Sequence, residues 1–407
     1  MAAKSPPLPA LADCVLRLAT PSQLIDFNCA MQESFFANHP VTRQQLDEGF
    51  AELAASPTRT NGRCLTWALV AREDPDGAVF TFVDTLRRDV VVRAPGKTVE
   101  AMPGGLYSIQ SGYSRLLLRT IHYLLAAPDA LPPPPSDLAP LNDPAEGTLL
   151  TPALGSVLSS DLVPGWYEKC TMGSGDNERE GWVSVDDHSN SDLYWPLSAE
   201  SDLPPDQPGW SHAWVYQHDL EALAPLLSQS FRNRLDSEPD DGITTLLLPD
   251  PGAPGWLTHL EVFSKIRVCK MARGPTPADT PVGVRFFPTS STSSSPPFQS
   301  SNPIVLFAPG LFSRLPDLFS VTMISDLPLS LLPTVLRLLV PLARQQGNKE
   351  IRTWGLDPDG AMAKLWCNLG GRIDSRYHNR TFPYGFAWYG REGTKGDLLG
   401  CEMWSFT

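Results

Sequence analysis

Cys64-Leu65-Thr66-Trp67-Ala68-Leu69-Val70-Ala71-Arg72, the break Glu73-Asp74-Pro75-Asp76-Gly77, and the run AVFTFVDTLRRDVVV from Ala78 to Val92 decide the fold. Both runs are rich in β-branched and aromatic residues, and Asp-Pro-Asp-Gly supplies turn chemistry between them, so the stretch predicts a β-hairpin. Downstream, Thr98–Met102 predicts another strand and Pro103-Gly104-Gly105 a loop. Ser114–Ala126 carries Leu116, Leu117, Leu118, Ile121, Leu124 and Leu125. A helix apolar over most of its girth is packed on both sides, as one lying on a sheet would be. Gly155–Ser160 reads as the next strand and Trp166–Met172 as a short helix. Upstream, Val15–Thr20 reads as a strand and Pro21 to about Asn38 as a helix, with Thr20 at the N-cap and Pro21 in the first turn. Strands and helices mix in this order, so the fold class is α/β (α+β).

Pro132-Pro133-Pro134-Pro135-Ser136 reads as an exposed polyproline-II insertion. Residues 173–212 are polar and read as a connecting segment. Beyond it, Gln217–Phe231 and Leu257–Met271 look helical, and Val282–Pro288 and Pro303–Phe307 look like strands, with a low-complexity, mobile Ser290–Ser295 between. The last hundred residues alternate: strand Phe319–Ile324, helix Leu329–Gln346, strand Ile351–Leu356, helix Gly360–Leu369, then strands ending at Phe406. That order repeats the later part of the first half without any residue-level repeat. The expected division is one domain over 13–172, the connection 173–212, and a second domain over 213–407.

A formal charge of −13 over 407 residues repels phosphate backbones, so nucleic acid is not an expected partner. An amine substrate is easier to accommodate, although an acidic surface also serves solubility alone. Seven scattered Cys show no CxxC spacing, which points to free thiols in a reducing compartment. The N-terminal Met-Ala-Ala-Lys-Ser-Pro-Pro lacks an apolar h-region, and the apolar stretch around Leu327–Leu342 is broken by Arg337 and prolines, so a cytoplasmic chain with no membrane span is expected. His212 and His218 have no matching ligand cluster, so no metal is expected.

The chemically suggestive segment is Gln110-Ser111-Gly112-Tyr113-Ser114, followed by Arg115. It opens a helix, where unpaired N–H groups and positive dipole suit phosphate oxygens, and Gly112 permits close backbone approach. Read alone, a Gly at a helix start is also an ordinary turn. A second piece, Ser156-Val157-Leu158-Ser159-Ser160-Asp161, is followed by Trp166-Tyr167-Glu168-Lys169-Cys170. The Tyr167 phenol is placed to protonate a departing thiolate; equally, it could be a core aromatic with a satisfied hydroxyl.

Together these residues resemble the fungal lysine N-acetyltransferase family within the GCN5-related N-acetyltransferase (GNAT) superfamily. Leu65-Thr66-Trp67-Ala68-Leu69-Val70 looks like its Trp-containing second strand, and Asp84-Thr85-Leu86-Arg87-Arg88 like its acidic-Thr-x-basic third strand. Gly112-Tyr113 falls where the family has the Gly-Tyr of its acetyl-CoA loop, and Ser156–Asp161 where it has Ser-Val-Leu-Tyr-Ser-Asp. Trp166–Cys170 resembles its Phe-Tyr-Ala-Lys segment, while Trp388-Tyr389-Gly390 and Glu402-Met403-Trp404 resemble its C-terminal motifs. The loop departs from the pattern: Ile109 stands at the family's Arg, followed by Gln110 and Ser111, leaving Arg115 and Arg119 as nearby cations.

The resemblance implies an N-terminal GNAT fold with a mixed, mostly antiparallel sheet and a C-terminal GNAT-like half. It implies acetyl-CoA as co-substrate, a small-molecule primary amine such as lysine as acceptor, and direct attack on the thioester. Residues 110–115 would hold the donor, backbone N–H groups around Glu100, Ala101 and Met102 the thioester oxygen, and Tyr167 would be the acid. Keeping an ε-amine neutral at pH 7 costs roughly 4–5 kcal/mol, so a carboxylate must take its proton. Asp161 is the nearer candidate and Glu402 a distant one, and either is also an ordinary structural carboxylate. The altered loop leaves two alternatives: a degenerate acetyltransferase serving as a binding or regulatory module, or an enzyme for a secondary-metabolite or protein amine.

Overall fold

The computed structural model describes residues 10–26, 62–110, 115–138, 150–159, 165–185, 191–239, 242–249, 281–290, 297–309, 318–375, 384–390 and 396–405, with isolated positions at 44, 48, 51 and 55. It is a mixed α/β protein built on two mostly antiparallel sheets.

The hairpin forms as β2 (Cys64–Ala71) and β3 (Asp74–Arg93), and β1 (Cys14–Leu18) pairs along the outside of β2. Asp74–Gly77 is not the turn: Ala71 already pairs with Asp74, and the Pro-Asp-Gly is absorbed as bulges at the start of β3. After β1, residues 21–26 are helical, and Thr20 caps them reciprocally. Gln23 N–H donates to Thr20 Oγ1 at 3.3 Å, and Thr20 N–H to Gln23 Oε1 at 2.9 Å. The rest of that predicted helix lies outside the described residues.

β4 spans Glu100–Gln110, so the predicted loop Pro103-Gly104-Gly105 is part of a strand. The three residues bulge opposite Asp89, whose Oδ1 accepts the Gly104 N–H at 2.8 Å. Gly104 has φ +70, and a Cβ there would lie 2.5 Å from Arg87 Cδ, so a side chain would break the bulge. The helix α1 (Arg115–Leu125) then crosses to β5 (Gly155–Ser159), which pairs parallel with β4. Within the proline run Pro135 is buried, so that insertion is seated at one end rather than wholly exposed.

Segment 173–212 is not a plain connection. It contains β6 (Val183–Ser184), β7 (Ser191–Pro196) and the start of β8 (Trp210–Val215). α2 (Leu220–Ser237) and β9 (Ile243–Leu247) follow, while the predicted helix Leu257–Met271 and residues 291–295 lie outside the described residues. Next come β10 (Gly283–Pro288), β11 (Ile304–Pro309), β12 (Leu318–Ser325), α3 (Leu332–Gln345), β13 (Glu350–Trp354), α4 (Ala361–Asn368) and β14 (Arg372–Ser375). β15 (Tyr384–Trp388) and β16 (Gly396–Leu399) close the series.

The first sheet runs β1-β2-β3-β4-β5-β15-β6, with β9 and β16 attached beside β3, and the second runs β14-β7-β13-β12-β11-β10-β8. Alternation of side chains separates the cores. Tyr107, Ile109 and Leu158 enter the core under α1, whereas Leu106 and Val157 enter a middle core shared with α2, β11 and β12. The far face of the second sheet packs Val284, Phe307 and Ile351 on α3 and α4. Within that sheet Arg352 Nη2 donates to Asp192 Oδ2 at 2.9 Å, both side chains fully buried. No described helix is long and apolar enough to cross a membrane.

Candidate functional site

Among the described residues each sheet contains one pair of parallel neighbours joined through a single helix, β4-α1-β5 in the first and β12-α3-β13 in the second, while the parallel β9 and β16 are far apart in the chain. Ligands of such sheets bind beyond the carboxyl ends of the strands. In the second pair the ladder stops at Ser320–Arg352 although both strands run on. The C-terminal turn Met403–Ser405, fully buried, packs on β12 there. Glu402 lies against Gly355, just past β13: a Cβ on Gly355 would meet Glu402 Cα at 2.5 Å. The chain's own end thus occupies that position. The first pair is the candidate site.

Its ladder joins Leu106–Ile109 to Gly155–Leu158. Gln110 ends β4, and α1 opens at the exposed Arg115. Ser111, Gly112, Tyr113, Ser114 and Asp161 lie outside the described residues. Trp166–Met172 forms hydrogen-bonded turns rather than the predicted helix, because its backbone groups bond elsewhere: Gly181 N–H donates to Glu168 O at 2.9 Å and Met172 pairs with Arg179. α1 holds this segment turn by turn. The Arg115 guanidinium stands 5.0 Å from the Trp166 ring centre, Arg119 Nε donates to Thr171 O at 3.2 Å, and Tyr123 Oη accepts the Gly173 N–H at 2.6 Å. Tyr167, half-buried, sits edge-on to Trp166 at 4.7 Å and to Trp182 at 6.2 Å. Arg115 and the Trp166-Tyr167 pair are therefore brought to one end of the sheet. Ala101 and Met102 are not: they pair with Val91 and Val90 before the bulge, roughly 20 Å back along β4 at about 3.3 Å per residue. The strand they were expected to end continues to Gln110.

No family model matches the chain, and no curated protein matches it. Among solved structures, a conserved Enterococcus faecalis protein named a probable N-acyltransferase superposes at a TM-score of 0.48 with 9% identity, over 92% of this chain and 72% of that one. A GCN5-related N-acetyltransferase from Kribbella flavida gives 0.44 with 11% identity, over 93% and 72%. A tandem GNAT protein from the clavulanic acid biosynthesis pathway gives 0.42 with 10% identity, over 93% and 99%.

Beneath Tyr167 lies a buried polar chain that sequence reasoning missed. His122 Nε2 is 3.1 Å from Cys170 O, its Nδ1 2.9 Å from Tyr389 Oη, Tyr389 Oη 2.6 Å from Ser156 Oγ, and Trp182 Nε1 2.9 Å from the same Oγ. A carbonyl only accepts, so Nε2 carries the proton and Nδ1 accepts from Tyr389; Ser156 then donates to Tyr389 and accepts from Trp182. Every proton has one place. Burial pushes the His122 pKa down to about 3, so the ring is neutral, and burial raises the Tyr389 hydroxyl well above its usual value. The Trp182 indole lies 4.0 Å from the imidazole. The chain ties α1, β5, the end of β15 and the Tyr167 turn into one unit. Burial also pushes the Cys170 thiol up to about 12, leaving it protonated and unreactive. The available signal for His122 was a titratable residue on the buried side of an apolar helix, where Thr120 is the other buried polar side chain.

Residues that carried the resemblance meet in pairs. Thr66 Oγ1 donates to Asp84 Oδ1 at 2.5 Å, Trp67 Nε1 donates to Thr85 Oγ1 at 2.9 Å, and Ser156 bonds Tyr389. Among the described residues no three His, Cys, Asp or Glu side chains come together as metal ligands would.

Proposed function

We propose that the chain is an N-acetyltransferase of the GNAT kind, moving an acetyl group from acetyl-CoA to a primary amine, with lysine or a lysine-like small molecule as first acceptor. One observation carries the reading: of two parallel β-α-β pairs, the first sets Arg115, Trp166 and Tyr167 together at the helix start, while the second is occupied by the chain's own end. The amine lone pair attacks the thioester carbon, the C–S bond breaks, and the Tyr167 hydroxyl protonates the leaving thiolate. Asp161 takes the amine's proton, directly or through water. Cys170, protonated at neutral pH, offers no nucleophile for an acyl-enzyme, which favours direct attack. Gln110 to Arg115 hold the donor's phosphates, and Arg115 supplies the cation that Ile109 does not. The thioester oxygen is served by β4 backbone beyond the bulge rather than by Ala101 and Met102. The reaction needs no metal, nucleic acid or membrane and runs in the cytoplasm.

Ile109 favours one second reading. It stands where the resembled family has Arg, and its side chain is buried in the first core. A chain that binds acyl-CoA as a regulatory module without turnover would tolerate that loss. Calorimetric titration with acetyl-CoA, repeated on Gly112→Glu, tests the site, and product mass spectrometry over lysine, secondary-metabolite and protein amines tests the chemistry. Saturable binding lost in the Gly112 variant, with an acetylated product, supports transfer. Binding without any product supports the module, and no binding ends both readings.

A further inference from the structure

We propose that the cleft at the carboxyl end of β12 binds a small dipolar ion carrying an ammonium and a carboxylate, such as a free amino acid. The cleft has a volume of about 530 Å³ and is walled by α2, residues 300–301 and the last residues of β12. That volume lies within the range of about 300–1,000 Å³ typical of small-molecule sites and exceeds what a bare ion needs.

Two opposite charges are fixed in it. Asp326 has φ +52, a left-handed conformation that Asp tolerates better than most residues. Its Oδ2 accepts the hydroxyls of Ser230 at 2.5 Å and Ser325 at 3.1 Å. Arg234 Nη1 donates to Glu402 Oε1 at 2.5 Å, and Glu402 is itself nearly buried. Among the described residues, Asp326 Oδ1 and the remaining N–H groups of Arg234 form no hydrogen bond. The Arg234 charge is already paired with Glu402, so a dipolar ion would add bonds rather than charge: its ammonium to the Asp326 carboxylate and its carboxylate to the remaining guanidinium N–H groups. Phe231 and Ile324 contribute the apolar wall. Phe231 belongs to the middle core and Tyr167 packs on the core under α1, so the cleft stands apart from the proposed transfer site and depends on none of that reading.

Calorimetry on the full chain decides it, with each proteinogenic amino acid, cadaverine and hexanoate as probes at millimolar concentration. At least one amino acid binds once per chain, while the diamine and the monocarboxylate do not. D326N, which keeps the left-handed backbone, weakens that binding roughly ten- to a hundredfold. S301W blocks the cleft from an exposed turn without changing the melting temperature. Failure of every amino acid to bind, or binding that D326N and S301W leave unchanged, overturns the proposal.

Discussion

Lowering the pH from about 7.5 to 5 loads a proton onto His122 in the unfolded chain but not in the folded one, and this difference can be measured. The folded pKa is about 3 against an ordinary 6.5. Protonating Nδ1 would turn an acceptor into a donor and reverse Tyr389, leaving the Ser156 hydroxyl proton without its acceptor. Because the unfolded state binds the proton first, His122's contribution is complete above pH 6.5 and is lost progressively between pH 6.5 and 3. At about 1.4 kcal/mol per pH unit the loss is about 2 kcal/mol by pH 5 and about 5 kcal/mol by pH 3. Against a typical total of about 5–15 kcal/mol this is large. Urea unfolding followed by Trp fluorescence at several pH values, on the natural chain and on His122→Gln, isolates it, since the other titrating groups are common to both. The variant starts less stable, but between pH 7.5 and 5 it should lose about 2 kcal/mol less than the natural chain. Parallel losses would refute the neutral, locked imidazole.

Tyr167→Phe should cut kcat about 10²- to 10⁴-fold while leaving acetyl-CoA affinity and melting temperature in place; near-natural turnover removes the phenol from the proposed mechanism. Gly181→Ala puts a Cβ 2.5 Å from Tyr167 O and 2.4 Å from Cys170 O, so the turn must shift, at about 1–3 kcal/mol by denaturant unfolding. An unaltered midpoint would show that the turn yields freely. Asp192→Ala removes the buried carboxylate to which Arg352 donates and should cost about 3–5 kcal/mol, read from the same unfolding curves.

What the sequence determined by itself was local. Runs rich in β-branched and aromatic residues specified β2 and β3, the Leu-rich stretch specified α1, and Thr20 specified a cap, because propensity, turn chemistry and capping act over a few residues. Tertiary structure alone decided the rest. Pro103-Gly104-Gly105 became a bulge because β3 was there to keep pairing with it. Trp166–Met172 gave up helical bonds for partners on α1 and at 179–182. β15 pairs with β5, and Ser156 meets Tyr389, 233 residues away. Residues 402–405 come to rest against the end of β13 and on β12, a contact between segments far apart in the chain. Such outcomes depend on burying apolar faces and pairing buried polar atoms between segments far apart in the chain, and no local window of sequence contains both partners.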